Sequence, residues 1–200
     1  SDAVQSFGKV PLNFSELGID AMTISGHKIG GPLGVAALVA KKNLELTPLL
    51  HGGGQEREVR SGTLHTPAIA AFAAAAEISQ SRLNENAIRI RALREKLIAG
   101  VLRAVPEVRL NGGANTLPGI AHFTFAGAEG DALLLLLDAQ GVQCSTGSAC
   151  SAGIAQPSHV LLAMGMAPKV ARSSIRFSIG TATTAAEIER AITVIGEVVS

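Results

Sequence analysis

The chain has 200 residues, 47% hydrophobic and 16% charged, which is enough to bury a substantial core and too apolar for a disordered segment. Seventeen basic residues against 16 acidic ones leave a formal charge of +1, and aromatic content is 3% with no Trp or Tyr. That balance leaves no electrostatic or stacking case for nucleic acid, nor for an anionic membrane surface. The longest apolar run, Ala132 to Ala139, contains Asp138 and is too short to span a bilayer.

The opening "SDAVQSFG" has no initiating Met and no charged-then-apolar leader, and it reads as the end of a strand. It suggests a piece of something longer. "DAMTIS" (Asp20–Ser25) and "GVAALVA" (Gly34–Ala40) read as short buried strands on either side of a turn that holds Lys28. From Thr66 to about Val105 the pattern is helical. One apolar face runs through Ile90, Leu93, Leu97 and Val101 and another set through Ile98, Leu102 and Val105. Polar residues from Ser79 to Asn86 are expected to bend or break this helix. The domain boundary is placed there, giving residues 1–85 and 86–200.

Past Pro106 the texture shortens. "EVRL", "IAHFTFAG", "VQCS" and "SSIRFSIG" read as strands. "GDALLLLLDAQG" reads as a helix closed by Gly141, and "PSHVLLAMG" as a short helix ending at Gly165. The last helix opens on Thr184 with Glu187 three residues on, the spacing of a capping box. Its core face is expected to be Ile188, Ile192, Ile195 and Val199. Strands alternating with helices point to an α/β or α+β architecture.

Five stretches carry possible chemistry. Lys28 follows Ser25, Gly26 and His27, a hydroxyl, a close-approach glycine and an imidazole that together suit a phosphate. A lysine amine becomes a nucleophile only when deprotonated, which a pocket favours. Taken alone, though, a lysine at a strand turn is more often simply solvated. Asp2 and Gln5 offer a carboxylate for a cationic nitrogen and a donor for an oxyanion, with turn or capping roles the commoner alternative. The run "HGGGQEREVRSGTLHTP" (His51 to Pro67) is either a backbone N–H cradle for an anion or a glycine-rich surface loop, and leads into the long helix. In "CSTGSACSAG", Cys150 lies among small polar residues that leave a thiol accessible, whereas Cys144 reads as a small buried hydrophobe. The two cysteines form neither a disulfide framework nor a metal quartet, and no metal site is expected. Arg176, within an apolar strand, either faces solvent or pairs with an anion such as a carboxylate.

In this order the stretches "DAVQSFGKVPLNF", "SGHKIGGPLGVAAL", "HGGGQEREVRSGT", "STGSACSAG" with "QPSHVLLAMG", and "SIRFSIGTATT" resemble the cysteine desulfurases of the housekeeping iron–sulfur assembly type, class-V aminotransferase-like enzymes. "SGHK" by itself is weak, since related enzymes carry similar turns; "RSGT" and "STGSAC" at these distances make the likeness specific. The resemblance implies the C-terminal half of a fold-type-I transferase dependent on pyridoxal 5′-phosphate. Residues 1–85 would be part of the large domain with its connecting helix, and residues 86–200 a small α+β domain carrying the cysteine loop.

The resemblance also implies roles. Lys28 matches the lysine that forms a Schiff base with the cofactor, Asp2 the carboxylate beside the pyridine nitrogen, and Gln5 the contact to the ring's phenolic oxygen. Ser25 and His27 match phosphate ligands, and Thr63 one supplied to the partner subunit's cofactor in a homodimer. Arg176 matches the ligand of the substrate carboxylate, and Cys150 the nucleophile that becomes a persulfide. L-Cysteine would yield alanine, and the sulfur would pass to an acceptor or iron–sulfur scaffold protein in the cytoplasm. Many family members have an arginine where Thr181 stands. The family chain is about twice this length, and its first half, with a phosphate-binding turn and a ring-stacking histidine, has no match here; the chain therefore reads as an incomplete portion. The alternatives are a selenocysteine lyase, another aminotransferase-like enzyme of the same cofactor, or a non-catalytic scaffold-binding fragment. Cys150 argues against an aminotransferase, and the joint presence of Lys28 and Cys150 against a pure scaffold.

Overall fold

The computed structural model describes residues 1–146 and 156–199, which form two compact units, Ser1–Glu85 and Asn86–Ser200. In the first unit, strand β1 (Ala21–Ser25) pairs antiparallel with β2 (Ala36–Ala40), Ala21 opposite Ala40 and Ser25 opposite Ala36. The chain start runs parallel along the other side of β1. Ala3 N–H donates to the Thr23 carbonyl at 3.0 Å and Thr23 N–H to that of Ser1 at 3.0 Å. Met22 and Ile24 of β1, with Ala3, are buried against Phe72 of helix α1 (Thr66–Ser81). Phe7 meets Phe72 edge-on, ring centroids 6.5 Å apart.

One sequence expectation fails in this unit, and one alternative left open is narrowed. Strand β2 is not buried: Leu38 is 51% exposed, because the core of the unit sits on β1. Of the two readings of the glycine-rich loop, the structure favours the surface loop. Gly54 N–H is donated to Ser61 Oγ and Gly62 N–H to Gln55 Oε1, so the loop spends these donors on itself. Glu56, Arg57 and Glu58 all take left-handed backbone angles there, with φ of 50°, 56° and 66°. Helix α1 starts where the Thr66–Pro67 signal put it, with His65 Nδ1 accepting from Ala68 N–H.

Helix α1 stops at Arg82, and α2 runs from Leu83 to Ala104. In the second unit a three-stranded antiparallel sheet is ordered β3 (Val108–Leu110), β4 (Ile120–Phe125), β5 (Ser174–Ser178). Alternation sorts its two faces. Ala121, Phe123, Phe125, Ile175 and Phe177 are buried with Leu97 and Val101 of α2. Leu133 and Leu137 of α3 (Gly130–Ala139) join the same core, as do Ile188 and Ile195 of α6 (Ala185–Val199). The Phe123 ring contacts those of Phe125 and Phe177 at centroid distances of 6.1 and 6.0 Å.

The capping box forms: Thr184 N–H donates to Glu187 Oε2 at 2.7 Å, and Glu187 N–H returns to Thr184 Oγ1 at 3.2 Å. Short helices α4 (His159–Ala163) and α5 (Pro168–Ala171) precede β5; the sequence signals α4 and leaves α5 unmarked. Leu102, expected on the core face, is 44% exposed, since the core stripe of α2 runs through Leu97, Ile98 and Val101 instead. "VQCS" is no strand. Only Ser145 bridges, to Arg176, because the segment meets β5 at that single residue. Among the described residues no helix is long and apolar enough to cross a membrane.

Candidate active site

At the end of β1 the chain tightens into a 3-10 turn, Gly26–Ile29, closed by Gly30 at φ 84°. A side chain at Gly26 would be crowded here. A Cβ would lie 3.1 Å from the Pro32 carbonyl oxygen, 3.1 Å from Val35 Cγ1 and 3.3 Å from Phe72. The bare backbone lets the turn press onto the core, with Gly26 N–H bonded to Val35 O and Gly31 N–H returning to Gly26 O. A turn anchored by buried Ser25 and Gly26 then presents His27 and Lys28 outward.

Ser25 Oγ and His27 Nδ1 lie 2.7 Å apart. That contact fixes the ring and leaves Nε2 for a further partner. On the other side of β1, Asp2 is bridged to Thr23, and its Oδ1 accepts from Val4 N–H at 2.8 Å, which orients the carboxylate. Gln5 Oε1 accepts from Lys9 Nζ at 3.0 Å. An ammonium only donates, so this bond assigns the amide oxygen to Lys9 and leaves the Gln5 NH₂ as the free donor. Lys9 is a residue the sequence reading passed over. Burial, and after it the charge of Lys28, lower its pKa, so its amine belongs to the same electrostatic neighbourhood. Its position four residues past Gln5 in "QSFGK" was the available signal.

Asp2 and Gln5 thus belong to the segment along one edge of β1, and Ser25, His27 and Lys28 to the end of that strand and its turn. A primary amine, a hydroxyl, an imidazole and a carboxylate on rigid backbone make a donor set that fits a phosphorylated, carbonyl-bearing pyridine: amine for carbonyl, hydroxyl and imidazole for phosphate, carboxylate for ring nitrogen. Thr63 stands apart, exposed in the loop two residues after buried Ser61.

Arg176 lies in the other unit, central in β5. Its backbone N–H donates to Ser145 O at 2.7 Å and its carbonyl accepts from Ser145 N–H at 3.1 Å. The side chain is half-buried, and its Nε finds no hydrogen-bond partner among the described residues. Around it runs a polar network absent from the sequence reading. Asn111 Nδ2 is 3.0 Å from His122 Nδ1 and donates to Thr124 Oγ1 at 2.7 Å, and Thr124 Oγ1 lies 2.8 Å from Ser174 Oγ. These residues sit on the sheet face opposite the phenylalanines, and alternation in "IAHFTF" and "SSIRFS" was the signal for it. Cys144 is partly buried against the core, and burial, then the Asp138 carboxylate, push its thiol up to about 11. Cys150 lies outside the described residues.

Residues 1–191 match the family described as Aminotransferase class-V. This defines the class: the chain belongs to the class-V aminotransferase family. Within it, the chain is 51% identical to the IscS-like cysteine desulfurase of Mycobacterium tuberculosis, over 98% of this chain and 50% of that protein. Among solved structures it is similar to a NifS-like protein from Rickettsia africae, with a TM-score of 0.90 and 38% identity, over 98% of this chain and 52% of the other. It is also similar to SspA, solved in complex with cysteine, at a TM-score of 0.69 and 32% identity, over 89% and 49% of the two chains. The chain spans about half the length of the curated relatives it matches.

Proposed function

We propose that the complete protein is a pyridoxal-5′-phosphate-dependent cysteine desulfurase that converts L-cysteine to L-alanine and hands the sulfur on for iron–sulfur cluster assembly. The observation that carries this reading is the placement of Asp2 on one edge of β1 and of Ser25, His27 and Lys28 at its end, with Ser25 Oγ 2.7 Å from His27 Nδ1. The names of the relatives at 51% and 40% identity point the same way, and so does the bound cysteine of SspA.

When bound, the cofactor supplies an electron sink conjugated to the substrate nitrogen. Lys28 would hold the cofactor through its carbonyl carbon, and its amine would move the proton at the substrate Cα. Ser25 and His27 would hold the phosphate, Asp2 would keep the ring nitrogen protonated, and the Gln5 NH₂ would donate to the ring oxygen. Thr63 serves the partner subunit's phosphate in a homodimer. Arg176 grips the substrate carboxylate with its planar fork.

Cys150 thiolate forms an S–S bond as the substrate's Cβ–S bond breaks. Cys150 is left as a persulfide, and alanine departs with a proton on Cβ. An acceptor or scaffold protein then collects the sulfur. A thiol that must stay reduced between turnovers fits the cytoplasm.

The test is intact mass and peptide mapping after incubation of the complete protein with pyridoxal phosphate and borohydride reduction. A phosphopyridoxyl group on Lys28, lost in Lys28→Ala, is expected. Its absence from wild type, or its presence on another lysine, overturns the assignment.

A further inference from the structure

His122 of β4 stands directly opposite Arg176 of β5. Both backbone polar groups of Arg176 are turned the other way, to Ser145, so the two residues form a non-hydrogen-bonded pair. In such pairs the Cα atoms approach to about 4.5 Å and the side chains are at their closest on one face.

The ring's protonation is decided by its neighbours. Arg109 Nε, which only donates, approaches Asn111 Oδ1 at 3.5 Å. The amide oxygen is therefore on that side, and Asn111 Nδ2 offers its two hydrogens to Thr124 Oγ1 and His122 Nδ1. His122 Nδ1 must then be an acceptor, which makes the ring neutral with its hydrogen on Nε2. The charged groups facing it, Arg109 across Asn111 and Arg176 across the strand pair, are both cations. Burial, and then Arg176, hold its pKa below the ordinary imidazole value.

We propose that His122 is the positioning residue for Arg176: a neutral ring, locked by Asn111 and directly opposite the arginine across the strand pair, restricts the guanidinium to conformers that reach the substrate carboxylate. An arginine free on a sheet face carries large rotamer entropy, and a rigid ring on the directly opposite residue removes much of it before substrate arrives. Neutrality is part of the function, since an imidazolium there would drive the guanidinium away. This inference rests on the reading of Arg176 as the carboxylate ligand.

The test compares His122→Ala, His122→Phe and Arg176→Ala in the complete, cofactor-loaded protein, with melting temperatures as a folding control. His122→Ala is expected to raise KM for L-cysteine about three- to tenfold, the weight of immobilising one long side chain, with kcat within about twofold. His122→Phe, which keeps a neutral ring but not the Asn111 hydrogen bond, is expected to give a KM between those of wild type and His122→Ala. In the Arg176→Ala background, His122→Ala is expected to add nothing.

A readout independent of turnover is nitrogen NMR of the cofactor-free protein. His122 should carry its hydrogen on Nε2, and Arg176→Ala should raise its pKa. An Nδ1–H ring, or an unchanged KM in a folded His122→Ala beside a raised KM in Arg176→Ala, overturns the positioning role and leaves the Arg176 assignment intact. An unchanged KM in Arg176→Ala overturns that assignment, and the positioning role with it.

Discussion

The chain holds two cysteines, and the surroundings of Cys144 should make it a slow thiol. Cys144 is pushed up to about 11, first by burial against the core of the second unit and then by the Asp138 carboxylate. At pH 8 a thiol of that pKa is about one part in a thousand thiolate, against about one in ten for an ordinary thiol near 9, a hundredfold deficit. Intrinsic nucleophilicity rises with basicity at a Brønsted slope of about 0.4–0.5, which over two units returns roughly six- to tenfold. The net expectation is reaction with an aromatic disulfide reagent on the order of tenfold slower than a free reference thiol, before partial burial slows it further. The assay is the rate of reagent release by native Cys150→Ser protein as a function of pH, with peptide mapping to verify the site. Asp138→Asn should lower the apparent pKa while leaving it above 9.0, because burial is the larger cause. A Cys144 that reacts as fast as the reference thiol would refute the reasoning. So would an Asp138→Asn variant that brings the pKa fully to 9.0, by making charge rather than burial the cause.

Two further expectations concern stability. The depressed pKa of His122 means that below about pH 6.5 the unfolded chain takes up a proton that the folded ring refuses. Stability contributed by the neutral ring is therefore intact above that pH and is lost as pH falls toward the folded pKa. Melting temperature should fall from pH 7 to pH 5 with a shallower slope in His122→Phe, and identical slopes would discount the linkage. Gly130 opens α3 where a Cβ would run into the Arg172 carbonyl oxygen and sit 3.4 Å from that of Ser174. Gly130→Ala should cost about 1–3 kcal/mol by urea denaturation despite a helix-propensity gain of up to about 1 kcal/mol, since the obstacle is backbone and cannot rotate aside. A neutral or stabilised variant would mean that the backbone at Arg172, between α5 and β5, yields there.

Much of the local structure was legible because it is encoded by near neighbours in sequence. The capping box at Thr184 and Glu187, the helix start at Thr66 and Pro67, and the break at Arg82 are settled within a turn or two of chain. The Lys28 turn was legible for the same reason, being set between two apolar strands by Gly26 and Gly30. What failed needed a partner. "VQCS" alternates like a strand yet meets β5 only at Ser145, and "GVAALVA" is apolar yet leaves Leu38 in the open. The loop from His51 carries three glycines in a row, but whether its N–H groups are free depended on Ser61 and Gln55 folding back on them.

The sequence by itself determined the family, through motifs at family spacing along its whole length, and with it the list of residues worth testing. It also determined which of those share a unit, since Asp2, Gln5, Ser25, His27 and Lys28 all lie within the first 28 residues, well inside the first unit. Only the tertiary structure decided that Lys9 orients Gln5, that Cys144 is a suppressed thiol, and that His122 faces Arg176 with its proton on Nε2. Each of those is a matter of which group lies across a strand pair or beneath a core. A hydrogen bond's direction and a thiol's solvation depend on atoms tens of residues away, whereas a helix cap or a glycine turn depends on the next three.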